Sequence, residues 1–192
     1  VDLNQRGGTL GSLAEVGGRP SIAFVDDQAG RVMFIRGLDA TGSSWDDPVS
    51  VGLPGTIVDT ALMEVDGRAA VAFVDAAISN DGDPVYTYAF DAPGTDWASG
   101  ILVDDNGEDV AALDMKVVNG VPAIGYVEEF SRDLRFVQAR DGRGESWYLP
   151  VDAYSGTVGN MLSLAVVAGR PMLSYLDTSG ADGDLLAVLS DD

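Results

Sequence analysis

Apolar and polar positions alternate along this chain in short runs, and the runs come in pairs around a glycine. The stretch Leu13 to Asp26 reads LAEVGGRPSIAFVD, and it returns as LMEVDGRAAVAFVD from Leu62, MKVVNGVPAIGYVE from Met115 and LAVVAGRPMLSYLD from Leu164. In each copy a first apolar run meets a turn at Gly18, Gly67, Gly120 or Gly169. Glycine there takes the positive φ of a two-residue hairpin, as Gly17, Asp66 and Asn119 can one place earlier. A second apolar run ends on an aromatic and, two residues on, an acid. The pattern predicts four antiparallel hairpins. Alternating β-branched and aromatic residues predict a third strand after each hairpin, at Arg31 to Gly37, Val85 to Phe90, Asp133 to Ala139 and Leu185 to Leu189. Fourth strands are expected near Pro48 to Val51, Ile101 to Val103 and Pro150 to Val151.

The equivalent aromatics Phe24, Phe73, Tyr126 and Tyr175 stand 49, 53 and 49 residues apart, a spacing that fits propeller blades and no common helical repeat. The fold expected is all-β: a four-bladed β-propeller of four-stranded antiparallel blades, the last closed by the N-terminal strand. Residues 1–11 supply that outer strand, because VDLNQRGGTLGSL resembles VDAYSGTVGNMLSL from Val151. Residues 12–60, 61–111 and 112–161 form blades one to three, and residues 162–192 the inner strands of blade four. Aligned on the third strands, Asp192 falls on the turn position of Asp141, so the fourth turn reads as trimmed.

Composition adjusts this picture in three ways. Among 192 residues, 31 acids against 11 bases give a net charge of −20, a surface that repels phosphate backbones and excludes nucleic acid as a partner. The chain has no Cys and no His, which removes disulfides, thiolate metal sites and the commonest general base. No apolar run approaches a membrane span, so no membrane insertion is expected. Val1 follows neither a basic nor an apolar leader, as in a processed product.

Between third and fourth strands lies Asp39-Ala-Thr-Gly-Ser-Ser-Trp45, repeated from Asp91 through Gly94 to Trp97 and from Asp141 through Gly144 to Trp147. A short Asp accepts hydrogen bonds from its own turn, Gly42 and its equivalents supply an awkward dihedral, and Trp plugs the turn against the strands. This D-x-x-G-x-x-W turn resembles the Asp-box (BNR) repeat of sialidase-like propellers, with one extra residue between Asp and Gly and with Gly37, Ala89 and Ala139 where the family has Ser or Thr. The hairpins are also similar to the repeats of secreted bacterial propeller proteins. Both resemblances imply a propeller with an extracellular or cell-surface location. Sialidase activity does not carry over with the turn: that chemistry in the family needs three clustered arginines, a Tyr/Glu nucleophile pair and an Asp acid, for which Arg19, Arg68 and Arg170 and Tyr126 beside Glu128 are the candidate parts. Arginines repeated at a β-turn fall on successive blades and are expected to cap turns instead.

The acids that close the second strands, Asp26, Asp75, Glu128 and Asp177, are the candidate binding set, since ring symmetry would present four carboxylates to one axis. Asp81, Asp83, Asp182 and Asp184 sit in oxygen-rich loops and are candidate metal ligands, with Ca²⁺ the cofactor such loops suit. The function expected from these features is a non-catalytic propeller module for binding or assembly, taking a protein or glycan partner, as a monomer or a ring-completing oligomer. The alternative is a sialidase-like glycoside hydrolase or a glycan-binding lectin.

Overall fold

The computed structural model describes residues 8–52, 55–75 and 82–190, and all regular structure in them is β. Sheet one is built from β1 (Gly8–Val16), β2 (Arg19–Asp26), β3 (Arg31–Arg36) and β4 (Val49–Ser50). Sheet two holds β5 (Ile57–Val65), β6 (Arg68–Asp75), β7 (Asp83–Tyr88) and β8 (Ile101–Leu102). Sheet three holds β9 (Val110–Val118), β10 (Val121–Glu128), β11 (Leu134–Gln138) and β12 (Val151–Tyr154). In sheet four, β13 (Val158–Val167), β14 (Arg170–Asp177) and β15 (Asp184–Leu189) are paired in that order. Every sheet is a simple antiparallel meander.

The hairpins form where the glycines predict them. Both central residues of each turn have positive φ: Gly17 and Gly18, Asp66 and Gly67, Asn119 and Gly120, Ala168 and Gly169. That is the mirror-image turn whose twist matches the flanking strands. Ala168, at φ 52°, holds this conformation without the side chain that usually eases it.

Core apolar residues lie between sheets. Ala23, Val32, Phe34 and Val51 of sheet one meet Leu62, Val71, Phe73 and Val85 of sheet two. The opposite face of sheet two, with Ala70, Ala72, Val74 and Tyr86, meets Met115, Ile124 and Tyr126 of sheet three. Val127 and Leu134 then meet Leu164, Leu173 and Tyr175 of sheet four. The first strand of each sheet lies against the first strand of the next, β1 on β5, β5 on β9 and β9 on β13, so these strands are innermost.

The boundary of the expected outer strand is corrected. Gly8 pairs with Asp26 and Thr9 with Val25, so residues 8–11 extend the first strand of sheet one instead of completing sheet four. An irregularity between Thr9 and Ser12 lets the strand continue past the point where the hydrophobic pattern breaks. Residues 1–7 of the expected outer strand lie outside the described residues. Among the described residues no comparable packing joins sheet four back to sheet one, and the described part of sheet four has three strands. The sheets of the described residues are not closed into a ring, and β15 is exposed along most of its length, with Leu185 80% accessible.

Candidate active site

The D-x-x-G-x-x-W turns form a repeated device. Asp39 accepts from the backbone N–H of Thr41 (2.9 Å) and Ser43 (3.2 Å) and from the hydroxyls of Thr41, Ser43 and Ser44. Asp91 accepts from the N–H of Gly94 and Thr95, and Asp141 from those of Arg143, Glu145 and Ser146. The indole N–H of each tryptophan donates to its turn glycine: Trp45 to Gly42 O (2.9 Å), Trp97 to Gly94 O (2.8 Å), Trp147 to Gly144 O (2.9 Å). The Ser43 and Thr41 hydroxyls and amides hold the Asp39 carboxyl well below its ordinary range. Burial works against Asp91 and Asp141, yet hydrogen bonds from Thr95, in one, and from Glu145 and Ser146, in the other, bring both below it as well.

These turns also lock one sheet to the previous one. Trp97 stands edge-on to Phe34 of sheet one, centroids 5.2 Å apart, and Trp147 edge-on to Tyr86 of sheet two at 5.1 Å. A Cβ added at Gly94 would stand 2.5 Å from Phe34, and one at Gly144 the same distance from Tyr86. Tyr86 donates its hydroxyl to Arg143 O at 2.7 Å, completing the joint between sheets two and three.

The second-strand acids each meet local partners. Asp26 accepts from the N–H of Gln28 and Ala29, both at 3.0 Å. Asp75 is buried at the end of β6, opposite Asp83 in the ladder. Glu128 accepts from the Ser131 hydroxyl (2.7 Å) and Asn106, and pairs with Arg135 at 3.4 Å. Asp177 accepts from Ser179 N–H (2.8 Å) and the Tyr154 hydroxyl (3.1 Å). Of the candidate metal ligands, Asp83 is buried at the start of β7, Asp184 opens β15 opposite Asp177, Asp182 lies in the preceding turn, and Asp81 lies outside the described residues. Among the described residues no three acids are grouped so as to hold an ion. Arg19 donates to Leu38 O at 2.7 Å, which caps a turn of its own sheet.

The polar groups that the fold does bring together lie on the innermost strands. Ser12 of β1 accepts from Leu62 N–H of β5 at 2.9 Å. Asp59 Oδ2 accepts from Leu113 N–H of β9 at 2.9 Å, and Asp114 Oδ2 from Leu164 N–H of β13 at 2.8 Å. Lys116 Nζ lies 2.8 Å from Asp114 Oδ1. Asp59 occupies an irregularity in β5 between Ile57 and Thr60, where the ladder skips a residue. Such a bulge re-aims a side chain that strict alternation would send elsewhere. Burial, reinforced by the charge of Asp114, raises the Asp59 carboxyl above its ordinary range, against the opposing hydrogen bonds from Leu113 and Thr60. The result is two carboxyls on adjacent innermost strands, Asp59 raised chiefly by burial and Asp114 beside an ammonium. Asp59, Asp114 and Lys116 were not singled out by the sequence, whose only sign of them is polar residues inside otherwise apolar first strands.

Four radially arranged antiparallel meanders, packed through their innermost strands, make the fold a β-propeller arrangement. Comparison with solved structures gives the same answer. Over 99% of this chain and 64% of that one, it superimposes on the Penicillium chrysogenum α-L-arabinanase complexed with arabinobiose, with a TM-score of 0.67 and 13% identity. An endo-arabinase from Bacteroides thetaiotaomicron matches 99% of this chain and 78% of its own length, at TM-score 0.62 and 13% identity. GH43B of the Bacteroides ovatus xyloglucan PUL matches 96% of this chain at TM-score 0.63 and 11% identity, and the chain spans 39% of its length. No protein-family model and no curated protein sequence matches the chain. These neighbours support a propeller without showing Asp-box repeats in particular. They overturn the expectation of a non-catalytic binding module, because the proteins that share the architecture across nearly the whole chain are carbohydrate-cleaving enzymes.

Proposed function

We propose that this propeller cleaves glycosidic bonds, with Asp59 and Asp114 as the working carboxylates and a pentose-rich glycan as substrate. The observation that carries the reading is the coupled pair itself: two acids on adjacent innermost strands, one with a raised carboxyl and one ion-paired to Lys116. Glycoside hydrolysis asks for that asymmetry, an acid to protonate the leaving oxygen and a carboxylate to act from the other side of the sugar. In this scheme the protonated Asp59 gives its proton to the departing glycosidic oxygen as the C–O bond breaks. Asp114 takes up the proton of the incoming water or attacks the anomeric carbon itself. Lys116, 2.8 Å from Asp114, orients that carboxylate. The arabinan- and xylan-type substrates follow from the neighbours' names, among them an arabinanase, an endo-arabinase and a xylan β-1,4-xylosidase. An extracellular or cell-surface location goes with this reading, since polymeric glycans are met outside the membrane.

The test is reducing-sugar release from arabinan and xylan oligosaccharides by the wild type, Asp59→Asn and Asp114→Asn. Asparagine keeps an acceptor for Leu113 or Leu164, so the joint between strands survives. Each variant is expected to lose about 100-fold or more in kcat with unchanged melting. Wild-type activity should fall as pH rises through the raised Asp59 value, because the acid must be protonated to work. Turnover in Asp59→Asn equal to wild type, or none by the wild type on either glycan, overturns the assignment.

A further inference from the structure

At the joint between sheets three and four lies a cavity of about 250 Å³, lined by Phe136, Val151, Leu173, Val188, Leu189 and Ser190 among others. Its position follows from the repeat. Phe34, Tyr86 and Phe136 are equivalent: they face Ala23, Ala72 and Gly125 on the neighbouring second strands. Phe34 and Tyr86 are covered by the Trp turn of the following sheet and are 1% and 0% accessible, whereas Phe136 is only partly buried and forms a wall of the cavity. A second wall is equally telling. In sheet three the turn glycine, Gly144, is wedged between Tyr86 and Pro122; a Cβ there would meet them at 2.5 and 3.1 Å. Gly42 stands against Pro20 in the same way, at 3.1 Å. The corresponding proline of sheet four, Pro171, lines the cavity opposite Phe136.

The backbone repeats the same preparation. Gly37, Ala89 and Ala139 each donate their N–H to the second strand and bridge to the turn tryptophan. Ser190 makes the first of these bonds, to Pro171 O at 3.1 Å. On the adjoining edge, Leu186 and Ala187 hold the positions through which β3, β7 and β11 pair with their fourth strands.

We propose that the cavity and the β15 edge together form a docking site for an extended polypeptide of the pattern Asp-x-x-Gly-x-x-Trp followed by a short strand. Its indole enters the cavity over Phe136, its glycine seats against Pro171, and its strand adds to β15. Main-chain pairing supplies affinity and the aromatic socket supplies specificity, as in other strand-addition complexes. The occupied copies within the same molecule, two for the aromatic socket and three for the strand pairing, define the fit, and the inference is independent of the proposed hydrolase chemistry.

The probe is a synthetic peptide copying residues 141–154, DGRGESWYLPVDAY, titrated calorimetrically into the whole chain. Saturable one-to-one binding is expected, with a rise in melting temperature. The same peptide with its Trp replaced by Ala should bind at least tenfold more weakly, a comparison that leaves the protein untouched. Phe136→Ala in the protein should reproduce the loss if its circular dichroism is unchanged. Absence of saturable binding, or equal binding by the Ala peptide and a scrambled one, overturns the site. So does a dimer in sedimentation that excess peptide fails to dissociate, since the edge would then belong to a second copy.

Discussion

At the scale of single residues the stability of this molecule concentrates in the tryptophan turns. Trp97 is half-buried against Phe34, so Trp97→Ala is expected to cost about 3 kcal/mol, at the lower end for loss of a large aromatic, as read from urea unfolding. Gly94→Ala should cost about 2 kcal/mol by the same measurement, since φ of 79° disfavours any side chain and the new methyl would collide with Phe34. Ala168→Gly runs the other way. It relieves a left-handed alanine and is expected to raise the melting temperature slightly, by up to about 1 kcal/mol in stability. The turn carboxyls also set an acid limit. Asp39, Asp91 and Asp141 have values lowered by folding, so their contribution is complete above the ordinary aspartate range near pH 4 and disappears as pH falls through the lower folded values. Thermal scans from pH 6 downward should show that loss, and it should be shallower in Asp91→Asn.

Among the elements, the hairpins were open to sequence reading because glycine and alternation act locally. Gly18, Gly67, Gly120 and Gly169 mark the turns, and the third strands start and stop within about two residues of where apolar alternation puts them, whereas the first strands begin well before Leu13, Leu62, Met115 and Leu164, at Gly8, Ile57, Val110 and Val158. The Trp turns were readable for the same reason: Asp, Gly and Trp stand within seven residues and bond mainly to one another. Asp59 was not. Its role depends on a ladder irregularity in β5 and on Leu113 and Asp114, more than fifty residues away, and neither follows from neighbours in the chain. The acids Asp26, Glu128 and Asp177 drew attention by recurring at one repeat position. In the structure they close the turns after their strands, a task that recurs for the same geometric reason.

For the whole molecule, four repeats could be read from the sequence and four sheets form; the match of residues 8–13 to residues 159–164 also holds, since β1 pairs with β2 as β13 pairs with β14, while residues 1–7, which the same match sets against the outer strand, lie outside the described residues. With a net charge of −20, self-repulsion opposes compaction at low ionic strength. Raising NaCl from about 10 to 150 mM at pH 7 should shorten the screening length to about 8 Å and raise the melting temperature by a few degrees. A flat response in calorimetry would mean that the acids are already neutralised locally by turns and ion pairs such as Arg135 with Glu128 and Asp152.

The skipped residue in β5 has counterparts in every sheet: near Gly11 in β1, at Ala111 in β9 and around Asn160 in β13. Each leaves residues on an innermost strand without a ladder partner: one in β9, two in β1 and in β5, three in β13. Of these irregularities, the one in sheet two holds an acid, Asp59. There the chemistry and the scaffold share one side chain, since Asp59 also accepts from Leu113 N–H, so a replacement must keep an acceptor if β5 and β9 are to stay joined.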